Sequence, residues 1–255
     1  MTNMLITLSL VLTSSLAADA LSDLKNQAAA LDATLVTQLE ETAPRATRAG
    51  WLRYNDALLL EPEAATWALH ELQSDTHDAR HRRALADAVV RNLRNTPQTQ
   101  LEAAWLQQIG QEQDPVVRQV LIEGLRHAAG PNVLTALKAL LQHPEASSRA
   151  AAANTIGWRE DGAMLADALV ASLSDNEASV RHLSARSLGY LSITASFDAL
   201  EGLLDDPDPM TRTAAIQALR RVYLDRALQL DLSTQQSDGD ARVRAAVEAL
   251  NNANP

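Results

Sequence analysis

The sequence predicts an all-α fold, specifically a solenoid of stacked helical hairpins, and three observations carry that prediction. Apolar residues make up 46% of the 255-residue chain and aromatics only 3%, so the core must be built mostly from Ala and Leu, which suit closely packed helices. Val and Ile are sparse and little of the chain alternates with period two, so no strand is expected. Pairs of an acid and an arginine recur along the chain at a near-constant interval, which marks a helical-repeat array.

Taken in order, the chain opens on the apolar run Leu5-Ile6-Thr7-Leu8-Ser9-Leu10-Val11-Leu12, followed by small residues around Ala17 and Ala18. Residues 1–17 are therefore expected to be a signal peptide, and the protein to be periplasmic or secreted. The run is too short to leave a membrane span in the mature chain. Met1 to Met4 carries no Lys or Arg, which departs from the usual positive start. The alternative is a cytoplasmic protein whose first residues pack against the end of the solenoid. Residues 18–43 read as one helix, with Leu21, Leu24, Ala28, Leu31, Leu35 and Leu39 on a single stripe. That helix either caps the first repeat or dimerises as a short coiled coil, and the cap is favoured because a terminal repeat needs its apolar face covered.

From residue 44 to residue 255 the chain reads as about six repeats and a C-terminal half-repeat. The pairs are Asp78 and Arg82, Asp114 and Arg118, Glu145 and Arg149, Glu177 and Arg181, Asp208 and Arg212, and Asp240 and Arg244, with the acids 36, 31, 32, 31 and 32 residues apart. Seven residues after the arginine stands Val89, Leu125, Ile156, Leu188 or Leu219; the last copy shifts by one, to Leu250. Each unit is expected to hold two helices, the second marked by Leu165, Leu169 and Leu173, or by Leu200, Leu203 and Leu204. Gly130-Pro131, His143-Pro144 and Asp205-Asp206-Pro207-Asp208-Pro209 punctuate the junctions. The stretch from Pro44 to Ser74 looks like a degenerate first unit, and no linker or second domain is evident.

The copy Glu177-Ala-Ser-Val-Arg-His-Leu-Ser-Ala-Arg-Ser-Leu-Gly189 resembles the HEAT repeat, and its short period is most similar to the variant named after phycobilisome lyases. The resemblance implies a right-handed α-solenoid of HEAT-like helical hairpins from about Pro44 onward. It says little about function, because this repeat serves scaffolds, chaperone-like factors and a few enzymes. The recurring acid is expected to cap the coming helix, and the arginine to reach a neighbouring repeat's acid or carbonyls. Together they would form a structural ladder.

No catalytic constellation emerges. His77 and His81 are four apart, but a zinc site needs a third protein ligand, so they read as a solvated helix start and no metal is expected. The HEAT-type deoxyhypusine hydroxylases carry repeated His-Glu pairs for iron, whereas this chain has only His70-Glu71. No Gly-x-Ser-x-Gly elbow, Walker loop or dinucleotide fingerprint occurs, and no cysteine is present. Asp205-Asp206-Pro207-Asp208 and Asp238-Gly239-Asp240 lack calcium-loop spacing and read as helix caps. No cofactor is implied. A net charge of −10 argues against nucleic acid, including the role of the HEAT-like DNA glycosylases, whose concave face is basic.

The irregular residues carry the functional expectation. Trp51, Trp67, Trp105 and Trp158 stand out in an Ala/Leu core, where each either fills a gap or forms a surface anchor. If the arginine-bearing helices line the concave face, then Trp158, Arg159, Arg186, Tyr190, Arg220, Arg221 and Tyr223 lie on or near it, and such residues anchor binding surfaces. The expected function is a non-enzymatic scaffold or adaptor for a protein or peptide. The alternative is a lyase-like HEAT-repeat enzyme or enzyme-maturation factor. Nothing in the sequence sets the oligomeric state.

Overall fold

The structure is a computed structural model that describes residues 64–74, 79–95 and 101–253. The expected signal peptide and capping helix, Trp51, His77, Asp78 and the stretch from Pro44 to residue 63 lie outside the described residues. So does the side chain of Trp67. Among the described residues all regular structure is helical. The chain divides between Val133 and Leu134 into two compact units.

The first unit contains α1 (Ala64–Glu71), α2 (Ala79–Asn95), α3 (Glu102–Gln111) and α4 (Pro115–Gly124), the last running into a 3-10 turn at Leu125–His127. Pro115 starts α4 with its ring in the first turn, where its missing N–H costs nothing, and Asp114 accepts the Val116 and Val117 N–H groups. Helix α2 packs on both α1 and α4. Trp105 is the largest side chain in this core, and its indole N–H donates to the Leu121 carbonyl at 3.2 Å. A Cβ on Gly124 would overlap a Val90 methyl and stand 2.7 Å from the Trp105 ring, so the glycine leaves the room that these two side chains fill against α4. His81, expected in solvent, is buried instead, because α2 presents that turn to the core rather than to water.

The second unit opens within α5 (Val133–Leu140). Four helices then pack successively side by side: α6 (Ala146–Gly157), α8 (Ala178–Tyr190), α10 (Pro209–Val222) and α13 (Ala241–Asn251). Behind them lie shorter segments, α7 (Ala166–Ala171), α9 (Phe197–Glu201), α11 (Leu224–Ala227) and α12 (Ser233–Gln236). The expected second helices are thus present but brief. Around Leu169 only six residues are α-helical, flanked by 3-10 turns at Gly162–Leu165 and Ser172–Ser174. Their leucines are still buried, with Leu169 and Leu200 fully so.

Small residues set the spacing of the long helices. Ala150 to Ala153 are all buried, and the Ser187 hydroxyl donates to the Ala153 carbonyl at 2.8 Å, so that α8 bonds directly to the backbone of α6. A Cβ on Gly157 would lie 2.8 Å from Ser187 Cα, and one on Gly189 would lie 2.8 Å from Ala218 Cα. Backbone approach that close leaves no room for a side chain. Helix α8 ends with Ile193 N–H donating to the Leu188 carbonyl and Ser192 N–H to that of Gly189. This turn places Ser192 at φ 54°, in the left-handed region.

Candidate partner-binding site

Two sets of arginines on the long helices have opposite surroundings. The first set forms the repeated ladder. Arg149 donates from Nε and Nη2 to both carboxylate oxygens of Asp175 at 2.7 and 2.8 Å, and from Nη1 to the carbonyls of His143 and Pro144. Arg181 makes the same fork onto Asp206, and Arg212 onto Asp238. Arg181 also satisfies the carbonyls of Asp175 and Asn176, and Arg212 those of Asp206 and Pro207. Each arginine therefore closes the turn before its own helix and clamps the next repeat's turn. In the first unit Arg82 reaches Glu112 at 2.7 Å and the carbonyls of Leu72 and Ser74.

The clamping carboxylates are not the recurring acids themselves. They stand two residues earlier, at Glu112, Asp175, Asp206 and Asp238, and each accepts the backbone N–H of the recurring acid. Asp114, Asp208 and Asp240 do cap their helices, whereas Glu145 and Glu177 occupy the cap position without a side-chain cap bond. Asp206 and Asp238, expected as caps, are instead ion-pair partners. The fork from Arg149 holds the Asp175 carboxyl below the ordinary carboxylate range, and that from Arg212 does the same for Asp238. For Asp206, burial pushes the value up, but the Arg181 fork and the Asp208 N–H outweigh it and hold it low. Arg118 and Arg244 also bond turn carbonyls, those of Glu112 and Asp238.

The second set lies at the other end of the same helices in the second unit. Trp158 is 56% exposed and Tyr190 38% exposed, and their rings meet at 4.9 Å between centroids. Asn154 holds the cluster together, accepting from Trp158 Nε1 at 3.2 Å and from Arg186 Nη2 at 2.7 Å. Arg221 lies over the Tyr190 ring at 4.9 Å, and Arg186 at 6.0 Å. Alongside runs a groove of about 770 Å³ lined by α8, α10 and α13. Its basic side chains are His182, Arg186, Arg220, Arg221 and Arg242, and no carboxylate lines it. Arg242 is paired with Asp240 at 2.7 Å. Burial, then the nearby Arg186, lowers the His182 pKa from its ordinary value, against a smaller raising effect of Asp208.

The seven expected surface residues thus divide. Trp158, Arg186, Tyr190 and Arg221 come together, and Arg220 lines the adjoining groove. Arg159 does not belong to this surface. It is 8% exposed, with its guanidinium forked onto Asp161, because the chain turns back immediately after α6. Tyr223 is 51% exposed but sits edge-on to Phe197, which Arg226 covers from 4.0 Å. Sequence reasoning missed Asn154, Arg242 and His182; of these, Asn154 had a signal, a lone amide one turn before Trp158. Among the described residues no cluster of three His, Asp or Glu could hold a metal, and no helix is long and apolar enough to cross a membrane.

Consecutive helical hairpins joined by repeated turn contacts define an α-solenoid protein. The chain belongs to the HEAT-repeat family, whose model matches residues 102–173 and 166–251. No curated protein matches it. Solved structures similar to it include the following two. One is a crystal structure of an engineered protein, 16% identical, covering 72% of this chain and 95% of that one with a TM-score of 0.42. The other is human deoxyhypusine hydroxylase in complex with glycerol, 19% identical, covering 84% and 98% with a TM-score of 0.36.

Proposed function

We propose that this protein is a non-catalytic interaction scaffold that holds a protein or peptide partner on the patch and groove of its second unit. One observation carries the reading: two exposed aromatics in tilted ring-to-ring contact stand beside Arg186 and Arg221, which no carboxylate of the described residues neutralises. Exposed Trp, Tyr and Arg side by side are the residues that anchor interfaces, and the repeat architecture supplies an extended surface on which to place them. The expected export signal would put this scaffold in the periplasm or outside the cell. N-terminal sequencing of the native protein checks that, and an intact Met1 or Thr2 would refute cleavage.

The test is affinity capture from native extract with the wild type and with Trp158→Ala/Tyr190→Ala. A protein retained by the wild type and lost by the double variant supports the reading. Equal retention by both, or none by either, overturns it. Both side chains are substantially exposed, so the variant should melt within a few degrees of the wild type.

A further inference from the structure

The chain carries 32 acidic against 22 basic residues, yet the groove is lined by four arginines and a histidine with no Asp or Glu among them. Elsewhere in the second unit Arg149, Arg181 and Arg212 are forked onto carboxylates, and exposed Arg226 is also ion-paired, to Asp198. Of the groove arginines only Arg242 has such a partner. Arg186 donates to a neutral amide, and its buried Nε has no hydrogen-bond partner. Arg221 lies over a ring, and Arg220 is exposed at the end of α10. Like charges gathered without counter-charge repel one another, and an incoming anion relieves that repulsion.

We propose that the groove recognises an acidic segment of a protein partner, with its carboxylates set against Arg186, Arg220 and Arg221 and aliphatic side chains set against Met210, Ala245 and Ala249. This rests on the interaction reading above and names the chemistry of the partner. Guanidinium groups are built for carboxylates, which they can bind through two parallel hydrogen bonds. Nucleic acid is the competing anion, and two features disfavour it. The overall charge of −10 repels any anion, and it repels a long polyphosphate that runs beyond the groove more than a short acidic segment held within it. Few ring faces are open for stacking bases, since Tyr190 meets Trp158 and carries Arg221 over its ring, which leaves Trp158 as the more open of the two. The apolar wall of the groove suits a peptide better than a phosphate backbone.

The experiment measures fluorescence anisotropy of the full chain with three labelled probes: a peptide of repeated Glu-Glu-Leu, the same peptide with Gln for Glu, and a single-stranded oligodeoxythymidine. The Glu peptide should bind and weaken with salt, and the Gln peptide should bind at least about tenfold more weakly. Arg220→Glu/Arg221→Glu should lose the Glu peptide by at least about tenfold and gain a Lys-Lys-Leu peptide, while its melting temperature holds because both sites are exposed. Equal binding of the Glu and Gln peptides, or no effect of the charge reversal, overturns the proposal. So does tighter binding of the oligonucleotide than of the Glu peptide. If the Glu peptide fails while a partner still depends on Trp158 and Tyr190, the acidic-segment inference falls and the scaffold reading stands. If both fail, both fall.

Discussion

The second unit uses arginine in two ways, on the same helices and about one to three turns apart. At the helix starts Arg149, Arg181 and Arg212 are half-buried, each forked onto a carboxylate and bonded to two carbonyls. Further along, Arg186 and Arg221 face an amide and a ring, with Arg220 beside them in a groove that no carboxylate lines. What separates the sets is compensation. A charge whose hydrogen-bonding capacity is filled from within the fold stabilises it and has little left for a ligand. A charge left uncompensated contributes little to folding and remains available to a partner.

The largest expected effect comes from breaking a rung. Asp206→Ala leaves Arg181 partly buried without its acid and should cost about 2–3 kcal/mol. Adding Arg181→Ala should cost less than the sum of the two singles, which a double-mutant cycle on denaturant midpoints would reveal. Acid should act on all rungs together. Asp175, Asp206 and Asp238 have folded-state pKa values held below the ordinary one. The unfolded chain therefore takes up protons that the folded chain refuses. Stability from these groups is full above the ordinary carboxylate range, begins to fall near about pH 5, and is lost as pH drops through the depressed values. Thermal melts at pH 7 and pH 3 check this; an unchanged melting temperature would mean that the rungs contribute nothing.

Next in size is the close approach that brings the two sets onto neighbouring helices. Gly189→Ala puts a Cβ against the Ala218 backbone and should cost about 1–3 kcal/mol. Smaller still, Arg220→Ala and Arg221→Ala should each stay within about 0.5 kcal/mol of wild type by chemical denaturation. A loss as large as that of a rung residue would erase the distinction between the sets. Smallest is Ser192→Gly, which relieves a left-handed serine but loosens the unfolded chain, and should stabilise by about 0.5 kcal/mol.

The period made the ladder's existence legible, since an acid and an arginine four apart recur in every copy. Its partners were not legible. The carboxylate that receives the arginine stands two residues before the recurring acid, and it is Glu112 in one copy and Asp175, Asp206 or Asp238 in others. The place holds His143 before Glu145, so it does not read as a column of like residues. The candidate site was half legible. Trp158 and Tyr190 broke the repeat pattern and marked themselves. Arg159 looked equivalent to its neighbours because sequence cannot show that the chain reverses after Gly157 and delivers it to Asp161. Arg242 belongs to the groove only because α13 packs on α10, a contact no local pattern announces.

The rungs also constrain how such a chain can change length. Each arginine is completed by a carboxylate from the following repeat, so a repeat removed from the middle of the second unit is harmless only if the cut falls at the same point of two copies. A deletion out of phase would strand a guanidinium against a turn without its acid. Duplication and loss by whole periods preserve every bond, which makes the period itself the heritable unit of this architecture, and the irregular side chains at the far ends of the helices can then diverge without disturbing it.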